Sequence, residues 1–510
     1  MRWRVILRNI FSNWAGYFVT AVIGFLLSPF IVHSLGATGY GLWTLILSLT
    51  GYFGLLDLGI RSSVGRFIAR YLALKDDHSV NRVLSTAFAI LAAGGLLALA
   101  GTLIVVTFFF DSFHVDEQFR AAAKTALLIT GLTTSLALPL GTFSSLLVSL
   151  ERFDILSGVT IVGELTRAAL IVVLLKSGHG LVSVALVAFA LTVTQYLTMA
   201  LFAKSLHRSL KLSLAYVDRA ALRELFGFGI YRFIWIVANQ LIFYSDSMVI
   251  GLFLNASAVT YYAIAGSLIN YGRTFVSLVT DTLYPSATRM DAQQDLKGLR
   301  ELQIVGTQIA LAVAVPVCLG FLFLGEQFIT LWMGKTYASS SLFLIVLTIP
   351  QFTGMSQYAS ALILAGMAKH RVLAYLVVGE GIVNLILSII LVRKIGLVGV
   401  AWGTAIPDLI CTAVIIPLYT TRVLKLSMRE YIARAYVGPA LAAIPTAAVG
   451  WALARVTVSP SWPLFGAEAM AMVAVFAASS YFLCLTPEQR GLANRKLMVL
   501  FHRNTVIHEA

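Results

Sequence analysis

The chain has 510 residues, 59% of them hydrophobic and only 12% charged, with 37 Lys and Arg against 23 Asp and Glu. A soluble domain carries about 25% charged residues, so this composition excludes one. The apolar runs lack the period-two alternation of a transmembrane β-barrel, and the basic residues sit in short loops between runs, which argues against nucleic acid as the partner of the +14 net charge.

Apolar runs recur from near residue 9 to residue 485, each long enough for the roughly 20 helical residues that cross a bilayer. The opening MRWRVILRNIFSNWAGYF has the charged start of a secretory signal. The apolar stretch continues past Leu27 without a small-x-small cleavage site, so it reads as a retained first span. Breaking the chain at its polar clusters predicts spans near 9–32, 39–60, 83–110, 121–148, 157–176, 180–203, 225–253, 258–282, 302–324, 339–366, 371–393, 395–420, 434–456 and 466–485. Most Lys and Arg fall in the N-terminal segment, in alternate loops and in the C-terminal tail, and positively charged loops stay cytoplasmic. Both termini are therefore expected inside. The basic stretch TPEQRGLANRKLMVLFHRNTVIHEA after residue 485 reads as a short tail along the inner leaflet. Cys318, Cys411 and Cys484 all lie in apolar segments, so neither a disulfide framework nor a metal cluster is expected, and no cofactor motif is present.

The chain resembles itself. SPFIVHSLGATGY (28–40) matches SMVIGLFLNASAVTY (247–261), and ARYLALKDDHSVNRVL (69–84) matches ATRMDAQQDLKGLREL (287–302), both at an offset of about 219 residues. Ala69, Asp77, Arg82 and Leu84 align with Ala287, Asp295, Arg300 and Leu302. Six spans fit each repeat, an even number, so the halves insert with the same orientation. The expected architecture is an all-α polytopic membrane protein of about 14 transmembrane helices. It has six-helix lobes at 1–210 and 211–430, two additional helices at 431–485, and a cytoplasmic basic tail at 486–510.

SPFIVHSLGATGYGLWTLILSLTGYFGLLDLGIRSSVGRFIARY at the start of the first half resembles the polysaccharide-type flippases. So does YSDSMVIGLFL…YYAIAGSLINY…DTLYPSATRMDAQQD at the start of the second. These belong to the multidrug/oligosaccharidyl-lipid/polysaccharide exporter superfamily, which includes O-antigen-unit and lipid II flippases. The resemblance covers about residues 1–420. It implies two six-helix bundles around a V-shaped cavity, moving a polyprenyl-diphosphate-linked glycan from the inner to the outer leaflet of a bacterial plasma membrane. The implied partners are the lipid-linked glycan, membrane lipids and other polysaccharide-biosynthesis membrane proteins, with the transporter itself a monomer.

Ionisable groups within spans cost on the order of 2.5–3.5 kcal/mol each at a helix centre on insertion scales, so each needs a reason. Asp57 and Arg61 are spaced to pair on one helical face at the cytoplasmic end of span 2, and their motif matches the family's at the cavity mouth, which implies gating or head-group contact. Arg66 and Arg70 beside Val64, Phe67, Ile68 and Tyr71 read as an interfacial helix with a basic face. Arg273, some fifteen residues into span 8 with Asp281 two turns on, is the leading candidate for a diphosphate, which guanidinium binds bidentately; a structural ion pair is the competing reading. Arg232 near the cytoplasmic start of span 7 is a further substrate candidate or a snorkelling cation. Glu164 and Arg167 in span 5 either neutralise each other or contact ligand. Asp246, where the family pattern has an acid, suits cation binding or gating, against a hydrogen bond across its lobe. Glu380 and Asp408 in spans 11 and 12 are candidate proton carriers, against two structurally bonded carboxyls.

An ion-coupled drug exporter of the same superfamily is the alternative function, and basic Arg273 argues against its preference for organic cations. A membrane-embedded glycan polymerase or ligase is disfavoured, because the outward loops are short and no nucleophile–base pair or metal-ligand spacing is visible. The expected protein is a transporter and not an enzyme.

Overall fold

The computed structural model describes residues 2–369, 371–457, 460–484 and 490–491, and within these the side chains of 2–7, 9–11, 13, 228–232, 235, 238, 239 and 243 stand outside the description. The side chain of Arg232 and nearly all of the expected tail at 486–510 therefore lie outside the described residues. Among the described residues the chain is almost entirely helical and contains no strand. It is an all-α polytopic membrane protein.

Among the described residues, ten helices are long and apolar enough to cross a membrane, against fourteen expected spans. The difference lies in how the remaining stretches are built. Spans 1 and 2 form one element, Arg2–Phe53, of 52 residues. A helix of that length is ~78 Å long, far beyond a bilayer core of about 30 Å. Gly36, at φ 69° and ψ 174°, breaks it where the two spans were expected to part, a conformation glycine adopts without a Cβ penalty. Span 7 is helix Arg219–Phe253, some of whose side chains are not described, and span 8 is helix Ala256–Thr280. Span 10 is broken into Ser340–Thr348, Gln351–Gly354 and Gln357–Gly366. Pro350, which lacks an N–H and disfavours helix in the residue before it, stands at the first break.

The internal repeat is written in the backbone. Left-handed residues recur as Lys75 and Gln294, Glu151 and Ala368, Gly178 and Gly396, each pair separated by about 218 residues as a repeat requires. Helices Ile60–Ala73 and Leu283–Ala292 both end two residues before such a residue, and an aspartate then caps the next helix. Asp76 accepts from the Ser79 N–H at 3.0 Å and Asp295 from the Gly298 N–H at 2.8 Å. The hydrogen bonds from Ser79 hold the half-buried Asp76 carboxyl below the usual carboxylate range. The capping roles place Asp76, not Asp77, opposite Asp295. The aligned letters were thus one residue out of register, because the cap and the left-handed turn fix the pairing, not the side-chain identities. Helix ends at 150–152 and 367–369 also match: Arg152 N–H donates to Leu147 O at 3.0 Å and Lys369 N–H to Leu364 O at 2.8 Å, the closing bond of a Schellman turn.

Two compact units emerge, one comprising 1–263 and 374–404, the other 264–373 and 405–510. In the first, the amphipathic helix Ile60–Ala73 buries Ile60, Val64 and Ile68 against Val83, Leu84 and Leu147, leaving Arg66 and Arg70 exposed, as expected of an interfacial helix. In the second, the appended helices Val437–Val456 and Trp462–Leu483 seat Ala442, Met472 and Phe476 on Leu311, Val315 and Leu319 of helix Leu296–Met333. Large apolar side chains stay outside both cores, Phe108 at 77% and Leu201 at 70% exposure. Water would not tolerate so many, whereas acyl chains would.

Candidate functional site

Four charged clusters lie within or beside the spans. In the second unit, Arg273 sits on helix Ala256–Thr280, whose start is capped by Asn255 Oδ1 accepting from Ala258 N–H at 2.8 Å. Its Nη2 meets Asp408 Oδ2 at 3.2 Å and its Nε donates to Gln351 Oε1 at 2.9 Å. Gln351 closes the triangle by donating from Nε2 to Asp408 Oδ2 at 3.0 Å. Gln351 opens the short middle piece of broken span 10, immediately after Pro350. Asp408 is anchored by its own helix: Thr412 Oγ1 donates to the Asp408 carbonyl at 2.7 Å and meets Thr353 Oγ1 at 2.9 Å. Thr412 belongs to a widened π-helical turn, Cys411–Ile415, a distortion that concentrates at functional positions. Asp281, expected beside Arg273 in span 8, is exposed just past the helix end at Thr280. The acid that pairs with Arg273 is Asp408, which a helix distant in sequence brings to it.

In the first unit, Asp246 is 4% exposed and is served by hydroxyls. Tyr262 donates to Oδ2 at 2.5 Å, Thr404 to the same oxygen at 2.6 Å, and Ser388 to Oδ1 at 3.4 Å. No Lys or Arg among the described residues pairs with it. A buried carboxylate held by neutral donors alone is a costly arrangement.

Asp57 and Arg61 do pair, Oδ1 to Nε at 3.2 Å, but not on one helical face. Asp57 ends the turn Gly54–Asp57, Leu58 and Gly59 follow in the left-handed conformation, and Arg61 belongs to helix Ile60–Ala73. Arg61 Nη2 also donates to Ala137 O at 2.7 Å and to Leu138 O at 3.3 Å. Those carbonyls lie beside Pro139 in helix Glu117–Ser149. Glu164 and Arg167 meet at 2.9 Å, with Arg167 Nη2 3.4 Å from Thr192 Oγ1. Glu380 is half-buried on helix Arg371–Ile395, in the unit that does not hold Asp408. Cys318 and Cys411 are buried and Cys484 is half-buried. Among the described residues no three His, Cys, Asp or Glu side chains converge as a metal site.

Gln351, Tyr262, Ser388 and Thr404 are not among the candidates that the sequence points to. Gln351 carried one signal, an amide beside a proline within an apolar span; the three hydroxyls carried none, since hydroxyl residues recur throughout these helices.

These features define a polytopic helical membrane protein with ion pairs and a hydroxyl-bonded carboxylate held inside its helices. Residues 6–291 match the family described as polysaccharide biosynthesis protein, and the chain belongs to that family. It is 22% identical to the "Uncharacterized membrane protein EpsK" of Bacillus subtilis (strain 168), over 96% of this chain and 97% of that one. It is 21% identical to a "Putative O-antigen transporter" of Shigella flexneri, over 81% of this chain and 98% of that one. The solved structure of "Lipid II flippase MurJ, inward closed conformation" superposes with a TM-score of 0.74 at 15% identity, covering 93% of this chain and 98% of that one, and shows the shared fold. The resemblance to flippase-type transporters, read from the motifs at the start of each half, is borne out.

Proposed function

We propose that the protein flips a polyprenyl-diphosphate-linked oligosaccharide from the inner to the outer leaflet of a bacterial plasma membrane by alternating access of two six-helix lobes. The observation that carries this reading is Arg273, a permanently charged guanidinium on helix Ala256–Thr280 that meets the Asp408 carboxylate and the Gln351 amide, in a chain of the polysaccharide biosynthesis family. Guanidinium matches a diphosphate in charge and in donor geometry and does not lose its proton. The kinship with a putative O-antigen transporter supports a lipid-linked glycan as the cargo. Arg61 is the candidate contact at the cytoplasmic mouth, Arg167 and Arg232 are secondary ones, and Asp246 is the candidate for ion coupling or gating. Glu380 and Asp281 remain candidates for gating, and both termini are placed in the cytoplasm on the distribution of Lys and Arg. The protein acts as a transporter without a chemical step, as a monomer, and receives its cargo from other membrane proteins of polysaccharide synthesis.

The test is translocation of a fluorescent polyprenyl-diphosphate glycan in proteoliposomes, comparing the native chain with Arg273→Ala and Arg61→Ala. Flipping by the native chain that Arg273→Ala abolishes, with insertion intact, is the expected result. Absence of flipping across several glycans, with proton-linked efflux of an organic cation instead, would replace this reading by the drug exporter.

A further inference from the structure

We infer that Asp408 is a built-in counter-ion that occupies Arg273 in the empty protein and that the anionic head group must displace, with Gln351 retaining the released carboxylate. This inference rests on the assignment of Arg273 to the diphosphate.

Two features of the triangle carry it beside the contact itself, which brings Arg273 Nη2 to Asp408 Oδ2 at 3.2 Å. The exposure is graded: the Arg273 side chain is 21% exposed and that of Asp408 9%, so a ligand reaches the cation first and the carboxylate stands behind it. Gln351 has both ends engaged in matching polarity, its carbonyl towards the cation and its amide towards the carboxylate at 3.0 Å. When a diphosphate takes Arg273, the amide remains on Asp408. The anion is then not left wholly unsatisfied, which would otherwise make the exchange prohibitive.

Gln351 lies on a four-residue helical piece, and the polar side chains that follow on the same broken span form a network of their own. Ser356 Oγ is 2.7 Å from Tyr436 Oη and Gln357 Nε2 donates to the same hydroxyl at 2.7 Å. Ser360 Oγ donates to Gln357 Oε1 at 2.7 Å, and Gln303 Nε2 reaches both Ser360 Oγ at 2.7 Å and Tyr431 Oη at 3.1 Å. An internal ion pair of this kind neutralises the binding cation while no cargo is present. The empty protein then does not carry an uncompensated arginine through its conformational cycle.

The experiment is equilibrium binding of farnesyl diphosphate to the full chain in nanodiscs, with farnesol as the uncharged control, for the native protein, Asp408→Asn, Gln351→Glu and Arg273→Ala. Removing the competitor predicts about tenfold tighter binding by Asp408→Asn, and adding a second carboxylate against Arg273 predicts at least tenfold weaker binding by Gln351→Glu. Should Asp408→Asn fail to fold, Gln351→Glu alone decides. If the native protein binds farnesyl diphosphate and Arg273→Ala does not, the diphosphate assignment stands. Unchanged or weaker binding by Asp408→Asn, or unchanged binding by Gln351→Glu, then overturns the counter-ion. If Arg273→Ala binds as the native protein does, or if nothing binds beyond the farnesol level, the assignment itself falls and the counter-ion with it.

Discussion

Gly141 lies directly beneath the guanidinium of Arg61: a Cβ built on it would stand 2.4 Å from Arg61 Cζ and 2.6 Å from Nε. Only a residue without a side chain lets the arginine reach the Ala137 and Leu138 carbonyls of helix Glu117–Ser149. Gly141→Ala is therefore expected to lift Arg61 off that helix while the long side chain swings aside, at a stability cost of no more than about 1–3 kcal/mol. If the docked position serves transport, Gly141→Ala and Arg61→Ala reduce flipping to similar extents and the double variant is no worse than either. Additive losses in the flipping assay would show that the two residues act independently.

Tyr262 and Asp246 make the second prediction. The phenol donates to a carboxylate that no described cation compensates, so removing one of its three donors leaves the charge less satisfied. Tyr262→Phe is expected to destabilise by about 1–2 kcal/mol, above the ~0.6 kcal/mol average of interhelical bonds in membranes because the acceptor is a carboxylate. Asp246→Asn, which keeps the shape and removes the charge, should melt at or above the native temperature while flipping falls. A native flipping rate in Asp246→Asn would remove Asp246 from any coupling role. Thermal melting in detergent and the proteoliposome assay read the two effects separately.

How far these sites were legible in the sequence differs by element. The spans were legible because long apolar runs have few alternatives, and the bend at Gly36 fell between two of them. The Asp57–Arg61 and Glu164–Arg167 pairs were legible because their partners are neighbours along the chain. The partner of Arg273 was not. Asp408 is 135 residues away, and nothing in local spacing tells which face of one span meets which face of another. The nearer Asp281 was the natural guess, but the helix ends at Thr280 and leaves it exposed. The hydroxyls around Asp246 were hidden for a related reason. Tyr262, Ser388 and Thr404 come from separate helices, and each would have suited an ordinary position in a membrane bundle.

The connection before helix Arg219–Phe253 is held to helix Asp77–Ile104 by polar contacts, of which acid should release the one made by Asp218. Asn81 donates to Ser209 O at 3.0 Å and accepts from Lys211 N–H at 2.9 Å, and Arg82 meets Asp218 at 3.3 Å. The Asp218 carboxyl is held below the usual carboxylate range, chiefly by the backbone N–H of Ala221, then by that of Ala220, with Arg82 adding to the effect. A carboxylate whose folded value is depressed stabilises the fold above its unfolded value, about 3.9, and loses that contribution as pH falls through the folded value. The native chain is therefore expected to lose thermal stability more steeply than Asp218→Asn once the pH drops below about 4. Between pH 5 and 8 the two curves should run parallel. Parallel curves at all pH values would show that this cap contributes nothing to the acid limb.

Glu164 and Arg167 pose the question of whether an intramembrane pair serves the ligand or only itself. At 2.9 Å, one turn apart on helix Phe153–Lys176, each offsets part of the other's cost of leaving water. Removing one partner leaves a lone charge, at about 2.5–3.5 kcal/mol on insertion scales. Both Glu164→Leu and Arg167→Leu should accordingly lower the amount of folded protein. The double variant removes both charges and should recover folding. If mutual neutralisation is the pair's whole role, flipping per folded molecule in the double variant equals that of the native chain. If flipping is lost although folding is restored, Arg167 touches the cargo, and a third variant, Glu164→Gln with Arg167 kept, should then flip at least as fast as the native chain. The order of these outcomes separates a structural pair from a binding one without any assumption about where the glycan lies.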